Sequence, residues 1–355
     1  MICTFCACGR SLHDDSFSGR RAHNPLRSSA GLRGAVILIS IAMCTYNGSR
    51  FLDEQLRSIA SQTLLPDELV VCDDGSSDET IALLEQFAAS SPFPVRIFCN
   101  IQNLGSTGNF EKAIGLCNGE LIALCDQDDI WKPQKLRVLH DRLTSSSGGV
   151  FSDADLIDDK SQMIGRRLWQ SITFTPEEQQ LWLDGRCVSS LLKRDVATGA
   201  TMLLRSALRD VFLPVPNGWI HDAWIAWMVT LHSRLEFVPE PLMLYRVHSE
   251  QQLGVPAIAP NFRQKFERAK QTAPRQYQAR ADQLATLLLH LESCPSAKCA
   301  QSVPPVRGQI EHCRFRARAR AAGRLRVWEV LSRYPQYSLY SEGITSMIRD
   351  LLIKG

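Results

Sequence analysis

Apolar and polar positions alternate in blocks along the first part of the chain. The run 36–42 is apolar apart from Ser40 and predicts a buried strand. A loop of Thr45, Tyr46, Asn47 and Gly48 closes it. Leu52, Leu56, Ile59 and Ala60 then recur at helical spacing until Pro66 and Asp67 break the pattern. Residues 69–72 predict a second strand, followed by Asp73, Asp74, Gly75 and Ser76. Ser76 and Glu79 fit a capping box for a helix carrying Ile81, Leu84, Phe87 and Ala88. Residues 95–99 predict a third strand, after which Asn103, Leu104 and Gly105 turn the chain into a helix that stops at Asn118 and Gly119. Residues 121–125 predict a fourth strand, and Asp126, Asp128 and Asp129 follow it directly.

This order of strands and helices predicts a parallel sheet with covering helices and right-handed crossovers. The loop at Thr45 and the two acidic clusters then fall on one edge, where α/β sheets bind ligands. Three carboxylates within four positions repel one another unless a cation or protons neutralise them. Two readings follow: a divalent metal site holding the phosphates of a nucleotide, or a polar turn that caps the next helix.

The second half is less regular. Residues 150–153 predict a short strand leading to Asp155, Asp158 and Asp159. Thr198 and Gly199 begin a glycine loop before a strand that ends at Leu204. His221 and Asp222, set between Trp219 and Trp224, are expected to open a helix through Trp227 and Met228. Residues 235–238 predict a strand that leads by Pro239 and Pro241 to Tyr245, Arg246, Val247 and His248. From about 262 the pattern is helical and basic, with Arg314, Arg316, Arg318, Arg320, Arg324 and Arg326 among small and apolar residues. That tail has two readings: contact with an anionic membrane surface, or a solvated helical face.

Length and composition narrow this picture. The 355 residues allow one large α/β domain with additions, or two domains. A formal net charge of +3 is too small to imply nucleic acid. The twelve cysteines are scattered, and Cys44, Cys72, Cys99 and Cys125 fall inside apolar strands, which favours a reducing cytosol over a disulfide framework. Cys3, Cys6, Cys8 and His13 lack a second cysteine pair at zinc-ribbon spacing, so residues 1–34 are expected to form an irregular leader without a zinc site. No run approaches the roughly 20 apolar residues of a membrane helix, and no signal peptide is expected.

Taken in order, these residues resemble the family 2 glycosyltransferases, in the branch that includes rhamnosyltransferases of surface polysaccharides. The likeness rests on Thr45-Tyr46-Asn47, Asp73-Asp74-Gly75-Ser76, Asn103-Leu104-Gly105 and Asp126-Gln127-Asp128-Asp129-Ile130-Trp131 with Pro133 and Lys135. Gly199, His221-Asp222 and Tyr245-Arg246-Val247-His248 complete it. It covers about residues 35–250. It implies a glycosyltransferase A-type fold: a Rossmann-like mixed sheet flanked by helices, with a C-terminal helical extension. The organisation it implies is a nucleotide-sugar-binding half at 35–145, an acceptor-binding half of the same catalytic domain at 146–261, and a basic helical tail at 262–355.

The resemblance further implies inverting transfer of a sugar, with deoxythymidine-diphosphate rhamnose a plausible donor. The partners are a nucleoside-diphosphate sugar and a glycan or lipid-linked acceptor at the cytoplasmic side of an envelope. Asp128 is the first choice of ligand for magnesium or manganese, and Asp126 meets the ribose or the metal, with Asp129 orienting either. Asp73 is expected to reach the base of the nucleotide, with Asp74 the alternate and a turn-and-cap role the competing reading for both. Thr45 and Tyr46 flank the base, and Asn47, Asn103 and Gly105 belong to the same donor site. Asp222 is the candidate base for the acceptor hydroxyl, a helix N-cap being its competing role. His221 stands where many relatives carry glutamate. His248 with Arg246 meets the diphosphate or the metal, and Asp153 helps bind a sugar. Two rivals remain beside transfer: a binding protein of the same fold without turnover, and a phosphatase built on an Asp-x-Asp motif.

Overall fold

The computed structural model describes residues 38–249, 251, 274–322 and 327–352. The leader with Cys3, Cys6, Cys8 and His13, and Arg324 and Arg326 of the tail, lie outside the described residues. The first half runs β1 (Ile39–Thr45), α1 (Ser49–Ala60), β2 (Glu68–Asp73), α2 (Thr80–Ala88), β3 (Val95–Cys99), α3 (Gly105–Leu116) and β4 (Leu121–Cys125). A two-residue strand β5 (Ile130–Trp131) and α4 (Lys135–Arg142) follow. All four long strands of this half are parallel, in the order β3-β2-β1-β4. The apolar runs of β1, β2 and β4 are buried under covering helices, the edge strand β3 is only half-buried, and α1 turns Phe51, Leu52, Leu56 and Ile59 inward.

β1 is described from Ile39, and residues 36 and 37 of the expected run lie outside the described residues. The Asp67 carboxylate accepts from the Ile39 backbone N–H at 2.7 Å, and pairing with β4 begins at the same residue. The capping box expected from Ser76 and Glu79 does not form. Ser76 Oγ turns back to Asp73 at 2.5 Å, and Asp78 accepts from the Thr80 N–H. At the opposite end of the strands, the buried Glu68 accepts from Ser40 Oγ, the Asn118 N–H and Arg96. It ties β1, β2 and the turn after α3 into one block.

The second half extends the same sheet and makes it mixed. It contains β6 (Ser147–Ile157), β7 (Met163–Arg167), α5 (Leu168–Ile172), α6 (Pro176–Leu183), α7 (Val188–Lys193), β8 (Met202–Arg205), α8 (Arg209–Phe212), α9 (His221–His232) and β9 (Arg234–Arg246). β8 lies antiparallel between β4 and β6, and β9 continues parallel to β6. Two expectations are corrected here. The strand at 150–153 is eleven residues long, and the one at 235–238 is thirteen and runs through both prolines. Prolines fit because β5 pairs β9 only at Met243 and Leu244, which leaves an unpaired flank beside Pro239 and Pro241.

The helical extension comprises α10 (Pro274–Ser293), α11 (Ala297–Ala322), α12 (Val327–Ser332), α13 (Tyr334–Tyr340) and α14 (Ile344–Leu352). Its arginines do not share one face. Arg316 and Arg320 are buried against Asp350, with Arg316 bidentate at 2.6 and 3.1 Å. Tyr337 Oη donates to the same carboxylate at 2.8 Å. Neither residue belongs to a solvated or membrane-facing stripe, whereas Arg314 and Arg318 are exposed. No helix among the described residues is long and apolar enough to cross a membrane.

This small core has an acid-labile member. His312 is buried edge-on to Tyr337, with ring centroids 4.8 Å apart. Burial, then Arg316 and Arg333, push it down to about 3. A histidine depressed in the folded state contributes stability that is present above its ordinary pKa of ~6.5 and lost as pH falls toward the folded value. Denaturant titrations at pH 7 and pH 5 are therefore expected to differ by up to about 2 kcal/mol from this group. The difference should shrink in His312→Phe; an unchanged slope would remove His312 as its source.

Candidate functional site

Parallel register brings the ends of three strands level. Thr45 pairs with Asp73, and Met43 with Cys125, so the loops after β1, β2 and β4 open on one edge. A cavity of about 320 Å³ lies there. Thr45, Tyr46 and Asp74 line one side, and Asp126, Asp128 and His248 another. Asp222 and His221, from the first turn of α9, close it. The structure thus brings together residues more than a hundred positions apart.

The acidic loop carries the strongest electrostatic strain. Burial, then Asp128 and Asp222, push Asp126 up to about 7. Burial, then Asp128 and Asp126, push Asp129 well above the usual carboxylate range. Asp129 does not line the cavity; its Oδ1 accepts from the Arg246 N–H at 3.0 Å, and its Oδ2 is buried with no hydrogen-bond partner. Asp128 Oδ2 lies 2.8 Å from His248 Nε2, and the His248 ring packs on Phe51. Hard oxygen donors beside one imidazole suit magnesium or manganese, so the donor set fits the expected ion.

Counting acceptor sites separates the two aspartates after β2. A carboxylate offers about four lone-pair positions. Asp73 has all of them filled, by Thr45 Oγ1, the Gly75 and Ser76 N–H groups and Ser76 Oγ. It does not line the cavity, and the contacts it makes are those of the turn. Asp74 accepts from Asn100 Nδ2 and the N–H groups of Leu104 and Gly105. It keeps one acceptor position and faces the cavity.

Other residues expected at the site make contacts within the protein. Asn47, at φ 47°, accepts from the Ser77 N–H and joins the first loop to the second. Asn103 holds the Asp74 carbonyl and the Gly105 N–H at the start of α3, where Gly105 adopts φ 71°. Arg246 is fully buried outside the cavity. Its guanidinium donates to the Asp128 carbonyl at 2.7 Å, Ser161 Oγ at 2.9 Å and Glu54 at 2.6 Å. Asp153 accepts from the N–H groups of Ala154 and Trp169 and does not reach the cavity. Asp222 is not an N-cap: Ile220 holds that position, and Asp222 accepts from the Gly199 N–H at 3.1 Å.

Several residues escaped the sequence reading. Gln127 bonds both the N–H and the carbonyl of Tyr46, so it fixes the exposed ring's backbone against the acidic loop. Gly48 is required for that reach, since a Cβ there would collide with the Gln127 amide. Phe110 stacks on His221 at 4.1 Å. Lys135 is buried, pushed down to about 7 by burial, and donates to the Ala200 carbonyl. Its position in the run Asp126-Gln127-Asp128-Asp129 to Lys135 was visible, but only the fold shows that it points inward.

Residues 40–212 match the family model described as glycosyl transferase family 2. That stretch, a little under half of the chain, is similar to the family 2 glycosyltransferases. An uncharacterized glycosyltransferase of Nostoc sp. is 29% identical over 218 residues, 59% of this chain and 65% of that protein. The dTDP-rhamnosyl transferase RfbG of Shigella flexneri is 25% identical over 256 residues, 69% of this chain and 84% of that protein. Among solved structures, S. aureus TarS 1-349 in complex with UDP-GlcNAc superposes with a TM-score of 0.56 at 16% identity, over 89% of this chain and 82% of that one. That likeness is one of fold, and the mixed sheet with flanking helices is the glycosyltransferase A-type arrangement.

Removing the guanidinium of Arg246 leaves the acidic loop without its inner anchor. Arg246→Met is expected to lower the unfolding free energy by about 1–3 kcal/mol, the range for leaving buried acceptors such as the Asp128 carbonyl unpaired, since Glu54 is half exposed and regains water. Chemical denaturation measures it; a loss below about 1 kcal/mol would show that the loop is held by other contacts.

Proposed function

We propose that this protein is an inverting glycosyltransferase that moves a sugar from a nucleoside diphosphate to a hydroxyl of a growing surface glycan or lipid-linked acceptor. The observation that carries the reading is the meeting of Asp126, Asp128, His248 and Asp222 around one cavity at the carboxyl edge of the sheet. Magnesium or manganese held by Asp128, Asp126 and His248 would supply positive charge against the leaving diphosphate. Asp74 takes the place first given to Asp73: its free acceptor position suits the ring N–H of uracil or thymine. Tyr46, 46% exposed at the rim, offers a face for the base.

Asp222 takes the proton of the acceptor hydroxyl as the new oxygen–carbon bond forms and the bond to the diphosphate breaks. It sits in the first turn of α9, where its Oδ2 accepts from the Gly199 N–H. His221 does not share that proton. Burial lowers its pKa, and its ring is stacked under Phe110, so it shapes the wall behind Asp222. The similarity to RfbG makes deoxythymidine-diphosphate rhamnose the first donor to try, and uridine-diphosphate sugars the second.

Two experiments test the reading. Asp222→Asn is expected to bind nucleoside diphosphate with manganese as the parent does while transfer falls by about 10²–10⁴-fold, the usual contribution of a general base. Full transfer in that variant removes Asp222 from the reaction. Calorimetry on Asp74→Asn should show weakened uridine or thymidine diphosphate binding with unchanged melting. Asp73→Asn should instead lower the melting temperature. The reverse pattern would return the base contact to Asp73.

A further inference from the structure

A second cluster of ligand-type side chains lies away from the cavity. His232 is the last residue of α9, about 16 Å along that helix from His221 at 1.5 Å per residue. Its ring, the Cys294 thiol and the Cys299 thiol place their donor atoms within 4.8 Å of one another. His290 stands beside these three, its Nε2 3.2 Å from His232 Nε2, and is the nearest imidazole to complete the set. His290 and Cys294 are one helical turn apart, with the Cys294 N–H donating to the His290 carbonyl. Cys299 follows near the start of α11 and is buried, whereas His232 is exposed. None of the four lines the cavity at the acidic loop.

The geometry points to a zinc site of two imidazoles and two thiolates, made by His232, His290, Cys294 and Cys299. In a tetrahedral site with Zn–N bonds of ~2.0–2.1 Å, two nitrogen donors stand about 3.3 Å apart, close to the spacing of the two imidazoles. The two rings meet at 66° with their Nε2 atoms 3.2 Å apart. Two soft sulfur donors select zinc over the magnesium or manganese that suits the carboxylates. Binding exchanges two thiol protons for one dication, so the occupied site is neutral overall. Trp224 packs edge-on to His290, 5.8 Å between centroids, and holds its ring from the far side. Lys298 ties the end of α9 to α11 through the Thr230 and Ser233 carbonyls. Zinc would therefore lock the joint between the last turn of α9 and the turn joining α10 to α11. The far end of that same helix presents Asp222.

The test uses the full chain, purified under reducing conditions without chelator. Elemental analysis should find one zinc per chain. After stripping with a chelator, the protein should melt at a lower temperature and recover on adding one equivalent of zinc. Cobalt(II) alone should give the intense visible bands of a tetrahedral ion and the ultraviolet band of thiolate ligation, saturating at one equivalent. Cys294→Ser and Cys299→Ser should each weaken that thiolate band, while Cys99→Ser and Asp128→Asn leave it intact. The last variant separates this site from any ion at the acidic loop. Absence of a thiolate–cobalt band in the parent protein would overturn the proposal, whatever the variants do. A Cys294–Cys299 disulfide found by mass spectrometry in the reduced preparation would overturn it equally.

Discussion

The constraint on which the structure depends is the crowding of acids at one rim of the sheet. Asp126, Asp128 and Asp129 follow a fully buried strand, Asp129 itself buried and the other two half-buried at the cavity. Arg246 holds their loop from the inside, by its own backbone N–H to Asp129 and by its guanidinium to the Asp128 carbonyl. It is a cation that does not neutralise the site, because Glu54 takes its charge. The carboxylates that face the cavity are left with their repulsion. Burial first, and that repulsion after it, raise Asp126, and this is the condition under which a dication binds strongly.

The second half of the chain exists, in physical terms, to finish that rim. β9 delivers Arg246 and His248 to the acidic loop, and it can do so because it lies parallel to β6 and pairs β5 directly after the acids. β8 carries Gly199 to the edge, where the absence of a side chain matters: a Cβ there would stand 3.0 Å from His221 Nε2 and 3.3 Å from Asp222 Cβ. The glycine therefore permits α9 to bring its first turn against the cavity.

Much of this was legible from periodicity. Apolar runs of five to seven residues, each ended by polar groups, give parallel strands with aligned ends, and the aligned ends give the site. What periodicity cannot show is where a polar side chain spends its hydrogen bonds. Asp73 and Asp74 are identical neighbours in sequence, and only the count of donors around each tells that one builds a turn and the other faces the ligand space. Arg246 and Asp153 stand beside chemistry-bearing residues in the chain, yet each is turned inward by partners far away in sequence. Gln127, Glu54 and Phe110 carried no signal of their own, since their roles arise from contacts across tens to hundreds of positions. The run through Pro239 and Pro241 failed for a related reason: proline breaks a paired strand, and the chain alone does not reveal which flank is unpaired.

The position of Asp222 follows from α9 more than from its own contacts. The helix is apolar nearly all round, with Trp224, Ile225, Trp227, Met228 and Val229 buried, so it behaves as a rod embedded in the core. A rod of twelve residues has two ends, and restraint at either sets the placement of both. At the first turn, Phe110 and Gly199 bound the approach of His221 and Asp222. At the last, Lys298 and His290 hold the carbonyls and the ring of His232 against the helical extension. A small displacement of the extension would thus be felt as a shift of a carboxylate at the cavity. This gives the extension a mechanical bearing on chemistry it does not touch.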